Sequence, residues 1–187
     1  MKTSQLIAAA ALAAATSLSH AAATPRFYVE GDLGLGHMSG DCAGADSCGL
    51  NGYAWNATAG VVIGAGFSGE VGYTSYGTVH DAYQGLFEHG RTDAWKVGGA
   101  YALPVAPGWN ADAHLGLAFV KTSYAANFPA VQVREVNHTQ QAYFGLGVSH
   151  AIDAHLSARA GIDWSKASIF DTDENVRALT VGVRYAF

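Results

Sequence analysis

The chain has little charge and no long hydrophobic run after its first residues. Charged residues make up 13% of its 187 residues, whereas a soluble domain carries about 25%. After the leader, no apolar run reaches about 18 residues, which excludes membrane-spanning helices. Helical periodicity is also missing. The 15 acidic residues outnumber the 10 lysines and arginines, so the composition gives no support for nucleic-acid binding.

Cysteine is also scarce, since the chain has only Cys42 and Cys48, in a polar segment. Two cysteines without further ligands do not make a structural zinc site, and we predict neither a metal nor a cofactor. In an exported protein this pair is expected to form a disulfide, which would tighten a surface loop.

The first residues have the order of a secretory signal peptide. Lys2 supplies a positive start, residues 6–15 are apolar and uncharged, and small residues lead up to Ala23. The apolar part spans about half the length that a transmembrane helix needs. We therefore predict a cleaved signal peptide over residues 1–23 and one exported domain over residues 24–187.

Eight short segments alternate apolar residues with polar or small ones. In the last of them, Leu179, Val181 and Val183 share one face, and Thr180 and Arg184 share the other. The eight segments are residues 27–36, 53–63, 67–76, 93–103, 111–121, 141–149, 155–165 and 178–187. Each is close to the ~9–11 residues of a tilted membrane strand. The predicted fold is all-β, an eight-stranded antiparallel up-and-down transmembrane β-barrel.

The connections between these segments alternate between long and short. A soluble β-sandwich would show the same alternation of residues, so the pattern of faces alone does not separate the two folds. Outer-membrane barrels, however, combine short periplasmic turns with long extracellular loops. The connection lengths therefore favour a barrel with both termini in the periplasm and four long connections outside.

Aromatic residues gather at both ends of the predicted strands. Two such girdles mark the membrane interfaces of a barrel, and a soluble core gives no reason for them. The set expected at the periplasmic rim comprises Phe27, Phe67, Tyr101, Trp109, Tyr185 and Phe187. The set expected at the outer rim comprises Tyr53, Trp55, Tyr73, Trp95, Phe119 and Trp164.

Three segments carry a family resemblance: residues 27–36, residues 69–77 and residues 181–187. With the signal peptide, they resemble the small eight-stranded outer-membrane barrels: the OmpA-like transmembrane domain, OmpX and the opacity-type, porin-family surface proteins. The resemblance implies a location in the bacterial outer membrane. It also implies that the barrel-assembly machinery reads Tyr185 and Phe187 as an assembly signal.

The inward faces of the predicted strands carry charged residues. Because an eight-stranded barrel is just wide enough for its own side chains, we expect these charges to pair. Glu70 with Lys96, and Glu30 with Arg184, lie on adjacent strands at similar depth. The predicted interior charge network comprises Glu30, Asp32, Glu70, Lys96, Asp112, Arg159, Asp163 and Arg184. In the OmpA-like family, pairs of this kind plug the lumen and gate a narrow conductance.

Two groups of residues suggest other chemistry. The histidines expected in the outer connections could bind a metal or sense pH, although solvated loop residues are the simpler interpretation; they are His37, His80, His89 and His138. His155 and Ser157 match the His-x-Ser of lipid A deacylase barrels, and we place both on the lumen side. No acid partner is evident nearby, and a nucleophilic triad needs one. We therefore predict that the protein is not an enzyme.

These observations predict a structural and surface-interaction protein of the outer membrane. It would support membrane integrity, adhesion or host interaction through four extracellular loops. The expected partners are outer-membrane lipid, lipopolysaccharide, the assembly machinery and host surface molecules, and we expect a monomer that binds no nucleic acid. The alternatives are a narrow low-conductance pore gated by interior salt bridges and, with least support, a lipid A-modifying enzyme.

Overall fold

The structure, a computed structural model, describes residues 26–40, 46–83, 86–127, 132–169 and 172–187. The predicted signal peptide lies outside these ranges. Within them the chain forms nine β-strands: β1 (Arg26–Met38), β2 (Ser47–Gly49), β3 (Asn51–Gly64), β4 (Phe67–Tyr83), β5 (Leu86–Ala106), β6 (Trp109–Asn127), β7 (Gln132–Ala151), β8 (Leu156–Ile169) and β9 (Thr172–Ala186). The described ranges contain no helix that is long and apolar enough to cross a membrane.

The eight long strands in these ranges close into a barrel. Each pairs antiparallel with its neighbours in the chain, and β1 pairs with β9 from Tyr28↔Ala186 to Met38↔Val176. The short β2 pairs with the outer part of β4. Closure gives every long strand a paired neighbour on both sides within the barrel, which allows a sheet to span a bilayer. The predicted fold is confirmed.

The two faces of the barrel differ sharply in chemistry. On β9, Leu179, Val181 and Val183 are 50–64% exposed on the outside, whereas Thr180 is 3% exposed on the inside. The other long strands repeat this order, with apolar side chains outward and polar or small ones inward. This arrangement suits a wall that faces lipid and not water.

Four strands are much longer than predicted. β4, β5, β6 and β7 have 17, 21, 19 and 20 residues, because segments predicted as long connections continue as paired hairpins. Ladder pairs such as Thr78↔Arg91 and Ser123↔Val136 lie in these extensions. The register shifts at Ser75/Gly77, and beyond it apolar residues lie at both buried and exposed positions without regular alternation, as Val79, Val133 and Val136 show. The alternation signal is therefore lost there, although the backbone pairing continues.

The opposite end of the barrel carries three short turns, and we call it the short-turn end. The turn at residues 64–66 has positive φ at Gly64, Ala65 and Gly66 (137°, 51° and 85°). In the turn after β7, the Asp153 carboxylate accepts hydrogen bonds from the backbone N–H groups of His155 (2.7 Å) and Leu156 (2.8 Å). These N–H groups lower the pKa of Asp153. The other end is called the long-hairpin end.

Aromatic rings contact one another at both ends of the barrel. At the short-turn end, Phe67 and Tyr101 lie 4.6 Å apart, and Tyr185 and Phe187 lie 5.2 Å apart, measured between ring centroids. Toward the long-hairpin end, the Tyr73 ring lies 5.2 Å from both Trp55 and Trp95. Trp55, Trp95 and Phe67 are among the exposed large apolar residues. These positions match the two membrane interfaces predicted above.

Interior glycines leave room for the polar side chains, which gives a test of the fold. A Cβ at inward-facing Gly182 would overlap the Gly31 carbonyl and the Asp32 side chain, whereas a Cβ at outward-facing Gly31 meets nothing within 4 Å. We expect Gly182→Ala to lower the free energy of unfolding by about 1–3 kcal/mol through overpacking. Gly31→Ala should change it by less than about 0.5 kcal/mol. Urea unfolding in detergent micelles measures both, and equal losses would contradict the assigned faces.

Candidate functional site

The inward-facing polar residues meet in the middle of the barrel. All eight predicted charges lie in this cluster, joined by a tyrosine and a histidine. The cluster, called the lumen network, comprises Tyr28, Glu30 and Asp32 of β1, Glu70 of β4, Lys96 of β5, Asp112 and His114 of β6, Arg159 and Asp163 of β8, and Arg184 of β9. Most of its members are buried.

Arg159 lies at the centre of the lumen network. Its Nη1 donates to Glu30 and, at 3.2 Å, to Asp32 Oδ2, both on β1. Its Nη2 lies 3.2 Å from His114 Nε2 on β6. The guanidinium therefore connects β8 with two strands that are not its neighbours in the sheet. Planar guanidinium groups suit such multiple contacts because their donors have a fixed fork geometry.

Arg184 forms the predicted pair with Glu30. Arg184 Nε donates to Glu30 Oε2 at 2.9 Å, and its Nη1 lies 3.6 Å from Asp112 Oδ1. The guanidinium carbon also lies 4.6 Å from the centroid of the Tyr28 ring. Glu30 is thus shared by two arginines, which fixes β1 against both β8 and β9.

The expected Glu70–Lys96 pair is not present, because each residue has a different partner. Glu70 accepts from the Tyr28 hydroxyl and lies 2.8 Å from His114 Nδ1. Lys96 Nζ donates to Asp163 Oδ2 at 3.2 Å, across the lumen. In the register, Lys96 lies level with Gly72, not with Glu70. In so narrow a barrel the opposite wall is as accessible as the adjacent strand, so adjacency does not decide the pairing.

His114 joins Arg159 to Glu70 through its two ring nitrogens. Arginine only donates hydrogen bonds, so His114 Nε2 accepts from Arg159 Nη2 at 3.2 Å. His114 Nδ1 donates to Glu70 Oε2 at 2.8 Å. The imidazole therefore connects β6 with both β8 and β4.

The predicted charge network leaves out Tyr28 and His114, which belong to the lumen network, and Tyr143, which lies beside it. Tyr143 contributes its ring, 5.2 Å from Lys96 Nζ. All three occupy inward positions and are buried, as alternation predicts. A search restricted to the formal charges of aspartate, glutamate, lysine and arginine passes over them.

The lumen network fills the barrel interior. The cavity among Glu30, Glu70, Lys96, Arg159 and their neighbours has a volume of only about 10 Å³, roughly the size of one water. Glycines opposite the long side chains make this packing possible. A Cβ at Gly147 or Gly161 would lie 3.1 Å or 3.3 Å from Arg159 Nη2. In the part of the chain that the structure describes, side chains therefore plug the middle of the lumen.

His155 and Ser157, which match the His-x-Ser of deacylase barrels, do not lie on the same side of the wall. His155 lies in the turn before β8, where its ring stacks on Tyr185 with 5.8 Å between centroids and its Nδ1 donates to the Ala186 carbonyl at 2.8 Å. Only Ser157, level with Arg184 in the register, has the expected lumen-side position. The expectation that His155 also faces the lumen was wrong, because the turn interrupts the alternation.

Two further predictions concern the disulfide and a metal site formed by the histidines of the outer connections. Cys42 lies outside the described residues, so its pairing with Cys48 stays a prediction. The His80 and His89 rings lie 6.4 Å apart on neighbouring strands. Across the parts of the chain that the structure describes, no three histidine, cysteine, aspartate or glutamate side chains are grouped to hold a metal ion.

A closed barrel with an apolar outer wall and a polar, filled interior is the architecture of transmembrane β-barrel proteins. More specifically, the chain belongs to the outer membrane protein beta-barrel domain family, whose model matches residues 7–187. This membership indicates a location in the bacterial outer membrane. A search of curated proteins finds no match.

Solved structures of other outer-membrane proteins share the fold. Neisserial surface protein A has a TM-score of 0.64 and 16% identity, and the alignment covers 86% of this chain and 97% of that one. Ail, the attachment invasion locus protein of Yersinia pestis, has a TM-score of 0.60 and 10% identity, with 87% and 99% covered. OprG of Pseudomonas aeruginosa has a TM-score of 0.55 and 9% identity, with 87% and 96% covered.

The central place of Arg159 can be tested through stability. Arg159→Met leaves Glu30 and Asp32 without this buried partner, so we expect a loss of about 3–5 kcal/mol in the free energy of unfolding. The matched control is Arg91→Met, since Arg91 also pairs with a carboxylate, Asp93, but is half exposed. Its loss should stay below about 1 kcal/mol. Urea titration in detergent micelles gives both values. Similar losses would mean that the buried pairs contribute no more than a surface pair.

Proposed function

We propose that this protein is a plugged, structural barrel of the outer membrane whose long-hairpin end faces the outside and mediates surface interactions. The observation that carries the proposal is the filled lumen, with a cavity of about 10 Å³. A barrel without an open passage supports the membrane and presents its outer end. Short turns on the periplasmic side are usual for this class, which supports the proposed orientation and periplasmic termini.

The long-hairpin end is built unevenly, which indicates where a surface partner would bind. The hairpins β4–β5 and β6–β7 extend well beyond the aromatic residues Tyr73, Trp95 and Phe119. Pairing of β5 with β6 up to Phe87↔Asn127 joins them into one four-stranded sheet. With about 3.3 Å per residue, β4 continues for up to about 30 Å along its direction. We call the part of β4, β5, β6 and β7 that lies beyond Tyr73, Trp95 and Phe119 the raised sheet. We propose that the raised sheet carries the contact with host surfaces.

The solved structures with the same fold are compatible with a role in surface interactions. Ail is named as an attachment invasion locus protein, and a further structure holds it in complex with the heparin analogue sucrose octasulfate. At 10% identity the likeness concerns the fold alone. The raised sheet of the present chain supports a surface role on its own geometry.

Truncating the raised sheet tests the surface role. Residues 79–90 are replaced by Asn-Gly, which closes the Thr78↔Arg91 pair with a two-residue hairpin turn. The control replaces residues 168–173 in the β8–β9 hairpin in the same way, at the Ala167↔Glu174 pair. We expect cells that carry the first variant to adhere to epithelial monolayers no better than cells without the protein. The control should retain adherence. Unchanged adherence of the first variant, with equal surface expression, would contradict the proposal.

The second candidate function is a narrow gated pore. It is favoured because the plug consists of side chains and not of backbone. The cross-lumen contacts join flexible side chains, so they can separate without unfolding the wall. The lumen network contains five carboxylates, Glu30, Asp32, Glu70, Asp112 and Asp163, against three cations, Lys96, Arg159 and Arg184. An opened lumen would therefore favour cations.

Planar-bilayer recording separates the two candidates. For the plugged barrel we expect no resolved opening steps from the wild-type protein, because the lumen network leaves room for about one water. Clear steps with cation selectivity would replace the structural proposal by the pore. Bilayers that receive detergent alone provide the baseline, and protein insertion is checked by the heat-dependent mobility of the reisolated barrel.

A further inference from the structure

Two histidines lie directly opposite each other near the outer end of the raised sheet. His80 on β4 pairs with His89 on β5 in the antiparallel ladder, so both side chains are on the same face of the sheet. Their ring centroids are 6.4 Å apart, with 41° between the ring planes, and both residues are exposed. His89 lies about 20 Å along β5 from Trp95, so the pair is well separated from the membrane interface that Trp95 marks.

Small residues flank the two rings in the ladder. Gly49 of β2 is level with His80, and Ala125 of β6 is level with His89. In the part of the chain that the structure describes, neither imidazole takes part in a hydrogen bond or an ion pair. The ring nitrogens of both residues are therefore accessible to a ligand from solvent.

Acidic residues adjoin both histidines in the chain. These are Asp81 and Glu88, which form the next pair of the ladder. Nearer the barrel on β5, Arg91 forms an ion pair with Asp93 at 2.8 Å, so the charge of this arginine is offset. The local charge therefore favours a cation as the ligand of the two imidazoles.

The two imidazoles are spaced so that they can chelate one metal ion. Neutral imidazole is the commonest metal ligand in proteins, and its nitrogen binds zinc at about 2.0–2.1 Å. Two imidazoles on one ion then have ring centroids roughly 5 Å apart. Rotation about χ1 and χ2 of these exposed side chains closes the gap from 6.4 Å. The ladder meanwhile holds the two backbones in place.

Imidazole ligands select the class of metal. Nitrogen ligands of this kind suit Cu²⁺, Ni²⁺ and Zn²⁺, whereas Mg²⁺ and Ca²⁺ prefer oxygen. Within the first-row series Cu²⁺ binds most tightly. The described residues do not group a third histidine, cysteine, aspartate or glutamate with this pair. The other coordination positions of a bound ion therefore stay open to water.

We propose that His80 and His89 form a surface site for a divalent transition metal, Cu²⁺ or Zn²⁺, with one imidazole from each strand of the β4–β5 hairpin. The bound ion links β4 to β5 near the outer end of the raised sheet and stabilises the hairpin there. This proposal departs from the prediction of no metal, which rested on the scarcity of cysteine. It goes beyond the proposed function, because the isolated protein binds the ion whatever its orientation in the membrane.

Isothermal titration calorimetry tests the site on the full chain, refolded in neutral detergent without a histidine tag, with Cu²⁺ or Zn²⁺ alone as the probe. We expect His80→Gln and His89→Gln each to weaken binding at least about 10-fold, because even losing a residue that supports a ligand costs that much. The matched control is His138→Gln, since His138 is also exposed but lies opposite Lys121. The control should bind like the wild type. Unchanged binding by His80→Gln, or equal weakening by the control, would overturn the proposal.

Electron paramagnetic resonance of the Cu²⁺-loaded protein identifies the ligands without relying on any variant. We expect couplings to two imidazole nitrogens in the wild type, and a wild-type spectrum with one nitrogen would refute the paired site. Mg²⁺ should give no heat of binding, and binding equal to that of Zn²⁺ would contradict the class of metal. The variants should keep the heat-dependent gel mobility of the wild type, because both histidines are exposed.

Amide hydrogen exchange tests the link between the strands. We expect Zn²⁺ to slow exchange in the β4–β5 hairpin around the two histidines, because an ion that binds both strands opposes local opening. The same addition should leave exchange in the His89→Gln variant unchanged. Equal slowing in the wild type and the variant would show that the ion acts elsewhere and would contradict the proposal.

Discussion

The arrangement of charges around Arg159 is the constraint on which the interior of this barrel depends. A guanidinium in a low-dielectric lumen is stable only with carboxylates beside it, and Glu30 and Asp32 of β1 supply them. Its remaining contact is with His114, which in turn contacts Glu70. Through these contacts β1, β4, β6 and β8 are tied together across the lumen, in addition to the backbone ladders along the wall.

Because the interior of the barrel is filled, the proposed function rests on the outer surfaces of the protein. In the described residues, apolar side chains form the outside of the wall and the lumen network occupies its inside. The raised sheet is the surface proposed above for partners. It arises from strands β4 to β7, which are longer than a membrane crossing requires.

Much of the fold could be predicted from the sequence, and less of the site. Alternation placed all eight interior charges on the correct face, and it identified the pair between Glu30 and Arg184. It failed for Glu70 and Lys96, whose partners lie across the lumen, and for His155, which a turn removes from the strand. It also underestimated the strands at the long-hairpin end, because apolar and polar residues do not alternate regularly there.

The sequence by itself determined the class of fold, because the alternation of side chains along a strand is a local property that each segment expresses independently. Eight such segments with apolar outer faces close into a barrel that lipid can surround. Only the tertiary structure decided which charges meet, since Arg159 and Glu30 come from segments more than a hundred residues apart (|i−j| = 129). Such meetings depend on the register between strands, which local alternation does not specify.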